Sequence, residues 1–391
     1  PRGKWKPSMN VSKVYIRGAY GPGNLGDDVL MLCVINILKK RFKESDIAVG
    51  VDHPQIARNF NPRIKWLHIK EPVKADLVVL GGGGQFFSFI PPAKAATARQ
   101  GIVAKLHKSL KAQTDLKSTL LRLYVGLRGG VDRIYFHQRL AAFCIGLGPF
   151  DGGGKLLDRA VSVINRCDYI SVRDGTSQQH CNTFGKSDVE VYTDPSLLSD
   201  LWISSKDLEI GSLKKGKYLS FILRDWPHDA NGQQFIKAMV QAADQLARRG
   251  EQVRLVSLYK ERDQHLIDKY DQFEWLCWDA AGETPETFMA KLIIESDVII
   301  SARAHGVLLP ASLGFPTIAV EIENKLKKVH EMLPRGTRLV STPDPEVILS
   351  TIAEFRQSKV QMAEHLKQEI AQRSALAQKA VDDFLNWVDE K

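Results

Sequence analysis

An α/β protein with largely parallel sheets is predicted, divided into two successive units. Short apolar runs alternate with amphipathic stretches along most of the 391 residues, the rhythm of strand and crossover helix. That rhythm stops in a polar, Lys- and Gly-rich linker, Ile203 to Lys217, and then restarts, which separates residues 11–202 from 216–344. Residues 345–391 read as a charged helical tail that can cross back over the first unit.

Lys13 to Arg17 is the first predicted strand. It runs into Gly18-Ala19-Tyr20-Gly21-Pro22-Gly23-Asn24-Leu25-Gly26, ahead of an apolar helix over Val29 to Phe42. Asp27 and Asp28 fall in its first turn and Lys39, Lys40 and Arg41 in its last, the order the helix dipole favours. The turn is Gly-rich but is neither GxGxxG nor a Walker loop, so nothing points to a nucleoside triphosphate. Ile47 to Val51 is a second strand and Asp76 to Leu80 a third. The third ends in Gly81-Gly82-Gly83-Gly84, read as a turn that brings bare backbone to the carboxyl edge of the sheet. Ala141 to Leu147 and Asp168 to Val172 follow, and Val189 to Tyr192 leads into Thr193-Asp194-Pro195-Ser196. In the second unit Tyr218 to Leu223, Val253 to Leu258, Glu274 to Trp278, Val298 to Ser301 and Thr317 to Val320 are strands, with an amphipathic helix over Gln233 to Arg249.

Composition excludes several classes. No apolar run approaches a membrane span, and the first ten residues are basic without the apolar h-region of a secretory signal. The five cysteines are scattered, with no metal-knuckle or disulfide spacing, which fits buried thiols in a reducing cytoplasm and no metal. The net charge of +9 points to anionic small molecules, an anionic membrane surface or nucleic acid. Much of the excess lies between Lys94 and Arg139, where Leu and Ile at helical spacing make a basic amphipathic insert. That insert either packs on its own domain or lies on the inner face of a membrane. No nucleic-acid module is present, and aromatics are not interleaved with the charges.

The most informative stretch is Asp297 to Lys325. A strand ends at Ser301, a helix begins near Ala304, and Arg303 and His305 stand between them. Ligands of parallel α/β sheets bind at such carboxyl ends, and a helix start suits anions. Arg173, Arg224 and Arg303 each close a predicted strand, so three guanidiniums can gather around one cleft and hold carboxylate and phosphate.

These pieces together resemble the polysaccharide pyruvyl transferase family: GAYGPGNLGDDVL at Gly18 to Leu30, LGGGGQFF at Leu80 to Phe87, SVRDGTS at Ser171 to Ser177, TDPSLL at Thr193 to Leu198, and SARAHGVLLPASLGFPTIAVEIENKLKKV at Ser301 to Val329. Asp28 departs from the Glu common there, and Ala302 and Ala304 replace bulkier apolar residues. The resemblance implies two Rossmann-like domains in a GT-B-like arrangement with the active-site cleft between them. It implies phosphoenolpyruvate as co-substrate, no cofactor, and a sugar or lipid-linked oligosaccharide that receives a cyclic pyruvate ketal. Residues 11–202 would carry the acceptor and 216–344 the phosphoenolpyruvate. On this basis His305 is the expected acid/base, and Arg224, Arg303 and Arg173 hold the anion. Asn24, Gly26, Gly83, Gly84 and Lys325 are expected to line the substrates. Asp27 and Asp28 either engage a sugar hydroxyl or cap their helix. The competing readings are a nucleotide-sugar glycosyltransferase, with Glu321 or Glu323 on a ribose, and a non-catalytic glycan-binding protein.

Overall fold

Strands with apolar residues on both faces must be covered by helices on both sides, and that requirement shapes both sheets. The computed structural model describes residues 10–87, 135–150, 154–204, 216–227 and 230–390. The first sheet holds β1 (Asn10–Arg17), β2 (Ile47–Val51), β3 (Lys65–His68), β4 (Val73–Phe86), β5 (Tyr135–Leu147), β6 (Tyr169–Val172) and β7 (Glu190–Val191), in the order β3-β2-β1-β4-β5-β6-β7. The second holds β8 (Tyr218–Ile222), β9 (Val253–Ser257), β10 (Glu274–Cys277), β11 (Ser296–Ser301), β12 (Thr317–Val320) and β13 (Thr337–Val340), in the order β10-β9-β8-β11-β12-β13. All neighbouring strands are parallel; Val14 of β1 pairs with Ile47 on one side and Leu77 on the other. Every residue of β2 and of β11 is buried, as strands covered on both faces must be.

The structure departs from the sequence reading in four places. Strand β4 does not stop at Leu80. It continues through all four glycines, with Gly83 opposite Ile145 and Gly84 opposite Gly146 of β5. The glycines are needed because neighbours press on the strand: a Cβ at Gly81 would lie 2.8 Å from Val34, and Gly82 and Gly83 have φ of 45° and 78°. The first helix is Leu25–Leu38, so Lys39, Lys40 and Arg41 lie beyond its last turn. Edge strands β3 and β13, 4 residues each and partly polar, have no apolar run to mark them in the sequence. Finally, β5 begins at Tyr135, so Arg139 belongs to a strand; the rest of the basic insert, 94–134, and linker residues 205–215 lie outside the described residues.

Apolar packing continues from one sheet to the other: Val29 and Phe143 share a core with Leu258, Trp278 and Phe288. The helix Pro345–Asp389 starts against the second sheet's core through Ile352 and Phe355. It ends on the first sheet, where Phe384 lies 4.8 Å from Phe143. There Arg139 stacks 3.8 Å over Trp387 and donates to main-chain carbonyls of residues 387, 388 and 390. All five cysteines are free thiols, four of them buried. Among the described residues no helix is long and apolar enough to cross a membrane, and no cluster of His, Cys, Asp and Glu could hold a metal.

Candidate active site

The strand orders set the location. Chain order reverses between β1 and β4 in the first sheet and between β8 and β11 in the second. Crevices open at such switch points, outside the carboxyl ends of the strands. Gly18 to Asn24 follow β1, Gly83 and Gly84 lie just before the end of β4, Arg224 follows β8, and Arg303 and His305 follow β11. The two edges meet: the Leu25 amide donates to the Leu258 carbonyl at 2.9 Å across the junction.

His305 is the first residue of the helix His305–Ser312 and lies against the start of the helix Leu25–Leu38. Its ring occupies the space where a side chain on Gly26 would go, since a Cβ there would stand 2.1 Å from Nδ1. Nε2 is buried without a hydrogen-bond partner, 3.6 Å from Asp194 Oδ2, an ion-pair distance beyond a hydrogen bond. Asp194 is buried and takes Arg173 Nη1 at 2.8 Å on the same oxygen. Its other oxygen accepts from the Ser196 amide at 3.1 Å and hydroxyl at 2.6 Å. Burial opposes ionisation of Asp194, but His305, Arg173 and Ser196 outweigh it and hold the carboxyl well below its ordinary range. Arg173 lies flat on β5, where a Cβ at Gly146 would meet its Nε at 2.9 Å. Asp194 stands in the Thr193-Asp194-Pro195-Ser196 motif, yet the sequence reading gave it no role.

A second group adjoins this one. Asp27 accepts from Asn24 Nδ2 at 2.5 Å, and its Oδ1 lies 3.3 Å from where a Cβ on Gly83 would be. Burial raises the Asp27 carboxyl above its usual range, against the pull of His305, Asn24, Lys325 and Arg173. Lys325 Nζ hangs 3.5 Å from the equivalent point on Gly84. Burial lowers its pKa; Glu323 and Asp27 oppose this, while Arg173 and Arg224 add to it. Six of the expected residues (Asn24, Gly26, Asp27, Arg173, His305 and Lys325) thus meet around the glycines of β4.

The arginines are not free clamps. Arg303 Nη2 donates to both oxygens of the fully buried Asp263, at 2.8 and 2.7 Å, and Nε donates to the Leu223 carbonyl at 3.2 Å. A buried guanidinium needs such a partner, and Arg303 braces the cleft from behind. Arg224 is paired with Glu323 and lies 4.4 Å over the Trp226 ring. Each of the three expected arginines therefore carries a carboxylate. Lys325 has no ion pair and no hydrogen bond among the described residues.

Asp28 also departs from expectation. Its carboxyl faces the other way, fully buried, accepting from the Gly23 amide at 2.9 Å and Trp278 Nε1 at 2.8 Å on one oxygen. The other oxygen is unpartnered, and burial pushes the pKa up to about 7. Asp28 thus ties the first turn to the second sheet. The raised pKa has a thermodynamic sign. Between about pH 4 and pH 7 the unfolded chain loses this proton and the folded chain keeps it, so stability falls by about 1.4 kcal/mol per pH unit, to a total of about 4. Asp28→Asn retains an acceptor and cannot ionise. Denaturant titrations at pH 5 and pH 8 should show the wild type losing about 3 kcal/mol more over that interval than the variant, the rest of the loss falling below pH 5.

Comparison with known proteins gives the family and the fold. Residues 24–324 match the family model described as polysaccharide pyruvyl transferase. No curated protein matches the sequence. Solved structures share the fold at low identity. HepE of Anabaena, in complex with UDP, is 14% identical with a TM-score of 0.52, over 98% of this chain and 100% of that one. MnaA of S. aureus with UDP is 12% identical with a TM-score of 0.53, over 97% and 96%. UDP-GlcNAc 2-epimerase of Neisseria meningitidis, bound to UDP-GlcNAc, is 12% identical with a TM-score of 0.51, over 97% and 100%. The fold is GT-B-like.

Proposed function

Because the chain belongs to the polysaccharide pyruvyl transferase family, we propose that it transfers the pyruvyl group of phosphoenolpyruvate to two hydroxyls of one sugar, in a polysaccharide or its precursor. The product is a cyclic ketal and the leaving group is phosphate. The observation that carries this reading is the meeting of His305, Asp27 and the unpaired Lys325 ammonium at the switch points of both sheets.

Phosphoenolpyruvate presents two anionic groups and a carbon–carbon double bond. In the proposed course His305 gives a proton to the methylene carbon, and C2 becomes electrophilic. One sugar hydroxyl adds to C2 and passes its proton to Asp27, whose raised pKa suits a proton acceptor. The C2–O bond to phosphate then breaks, and the second hydroxyl adds to C2, closing the ring and giving its proton to the His305 imidazole that gave one up in the first step. Every atom of the co-substrate leaves in ketal or phosphate, so no cofactor is consumed. Lys325 supplies the charge for the anion, helped by Arg173 and Arg224, whose charges are shared with Asp194 and Glu323. The net charge of +9 suits an acceptor carried on a lipid at an anionic inner membrane face.

Incubation with phosphoenolpyruvate and a panel of glycosides, read by mass, tests the reading. The expected product is heavier than its glycoside by pyruvate less one water. Glycosyl transfer from a UDP-sugar without consumption of phosphoenolpyruvate would instead mark a nucleotide-sugar enzyme. Glu323, the carboxylate that reading would place on a ribose, is tied to Arg224. Lys325→Met removes the unpaired charge, and the KM for phosphoenolpyruvate should rise by about 10- to 100-fold in steady-state assays.

A further inference from the structure

We propose that Lys328 is a positioning residue: its ammonium, bonded across the junction to Thr176, fixes where the unpaired Lys325 ammonium hangs. The inference rests on the pyruvyl-transfer reading above. Both lysines belong to the helix Asn324–Met332 of the second domain. They stand at i and i+3, on one face of that helix. Lys328 Nζ donates to Thr176 Oγ1 at 2.6 Å. Thr176 lies in the first turn of the helix Gly175–Thr183, just after Arg173 in the chain. Lys325 Nζ also reaches the first domain, 3.5 Å from where a Cβ on Gly84 would be. The helix thus sets two prongs on the first domain, one bonded and one free.

The bonded prong matters because this helix cannot place itself. It has 9 residues, too few to be stable alone. Its N-cap residue, Glu323, makes no capping hydrogen bond, and that carboxylate is taken by Arg224. Leu326 and Val329 anchor the helix in the second sheet's core, but apolar burial is not directional. Lys328 brings no local gain to either helix. Like charges at i and i+3 repel, and a cation at the first turn of the helix Gly175–Thr183 opposes its dipole. What the contact joins is two domains. The far end of the helix Asn324–Met332 is held separately. Arg373 Nε and Nη2 donate to the Met332 carbonyl at 3.3 Å each, and Thr193 Oγ1 donates to Met332 Sδ at 3.6 Å. Thr193 precedes Asp194 and Thr176 follows Arg173. Both ends of the helix are therefore tied to the segments that carry the Arg173–Asp194 pair, which registers Lys325 against the pair that faces His305.

Three variants test this. Lys328→Met removes the donor and keeps the aliphatic stem. Thr176→Val removes the acceptor without changing any charge, and Thr176→Ser keeps it. Losing one such hydrogen bond should raise the KM for phosphoenolpyruvate by about 3- to 10-fold in the first two variants, with kcat within about twofold. Thr176→Ser should match the wild type. In a Lys325→Met background, adding Thr176→Val should raise KM no further. A KM within about twofold of wild type in Thr176→Val would overturn the proposal, because any effect of Lys328→Met would then be a lost charge. A Thr176→Val penalty that persists undiminished in the Lys325→Met background would also overturn it, since the contact would then act through something other than Lys325. If the wild type consumes no phosphoenolpyruvate with any glycoside, the pyruvyl-transfer reading falls, and NMR of protein isotopically labelled at lysine Cε decides the positioning by itself. The Lys325 signal, identified by its loss in Lys325→Met, should titrate closer to an ordinary lysine in Thr176→Val, because burial lowers its pKa in the wild type. An unchanged Lys325 titration would overturn the positioning.

Discussion

Replacing His305 with alanine is expected to lower turnover by about 10²–10⁴-fold, the usual cost of losing a positioned acid/base, with the fold intact. The reasoning is local. The ring fits a gap left by Gly26 and has one nitrogen buried and unpartnered in front of an ionised Asp194. Neither feature is needed to start the helix His305–Ser312, whose buried residues Val307 and Leu309 lie deeper. Gly26→Ala provides an independent check. Its new methyl would require His305 to move, because Nδ1 and Cγ would stand 2.1 and 2.5 Å away. The same loss of turnover is expected from a protein that keeps the imidazole. Turnover within about threefold of wild type in folded His305→Ala would remove the residue from the chemistry.

Asp194→Asn is expected to cost about 3–5 kcal/mol of stability, the range for breaking a buried ion pair from one side. Arg173 would keep its charge, with a side chain only 15% exposed, and lose its carboxylate. His305 would lose the anion facing Nε2, so activity should fall as well. Denaturant midpoints of Asp194→Asn, Arg173→Met and the double variant separate the two effects. Removing both partners should recover part of the stability, because no unpaired cation remains, and none of the activity. A double variant as unstable as the sum of the singles would mean the pair is uncoupled.

The strands that organise this site are visible as apolar runs: Ile47–Val51 and Thr317–Val320 have the boundaries their sequences indicate. The placement of Arg173, Arg224, Arg303 and His305 at strand ends is equally legible, because a strand end is a local property. Their partners are not. The carboxylates that engage Arg173, Arg303 and Arg224 arrive from 21, 40 and 99 residues away. Whether an arginine presents a free fork or a spent one depends on that encounter. Asp27 and Asp28 show the same limit at closer range. They are adjacent on one helix turn, yet one faces the β4 glycines and the other the Trp278 indole. The glycines of β4 read as a turn because glycine is depleted in strands; here they are strand residues that let Val34, Leu30 and Asp27 come close.

Phosphorus NMR of phosphoenolpyruvate mixed with the enzyme and a reactive glycoside addresses the central claim most directly. The phosphoenolpyruvate resonance should decline as inorganic phosphate grows, one for one with ketal-bearing sugar. A sugar phosphate ester in place of inorganic phosphate, or an undiminished phosphoenolpyruvate signal while a UDP-sugar donor is consumed, would contradict it.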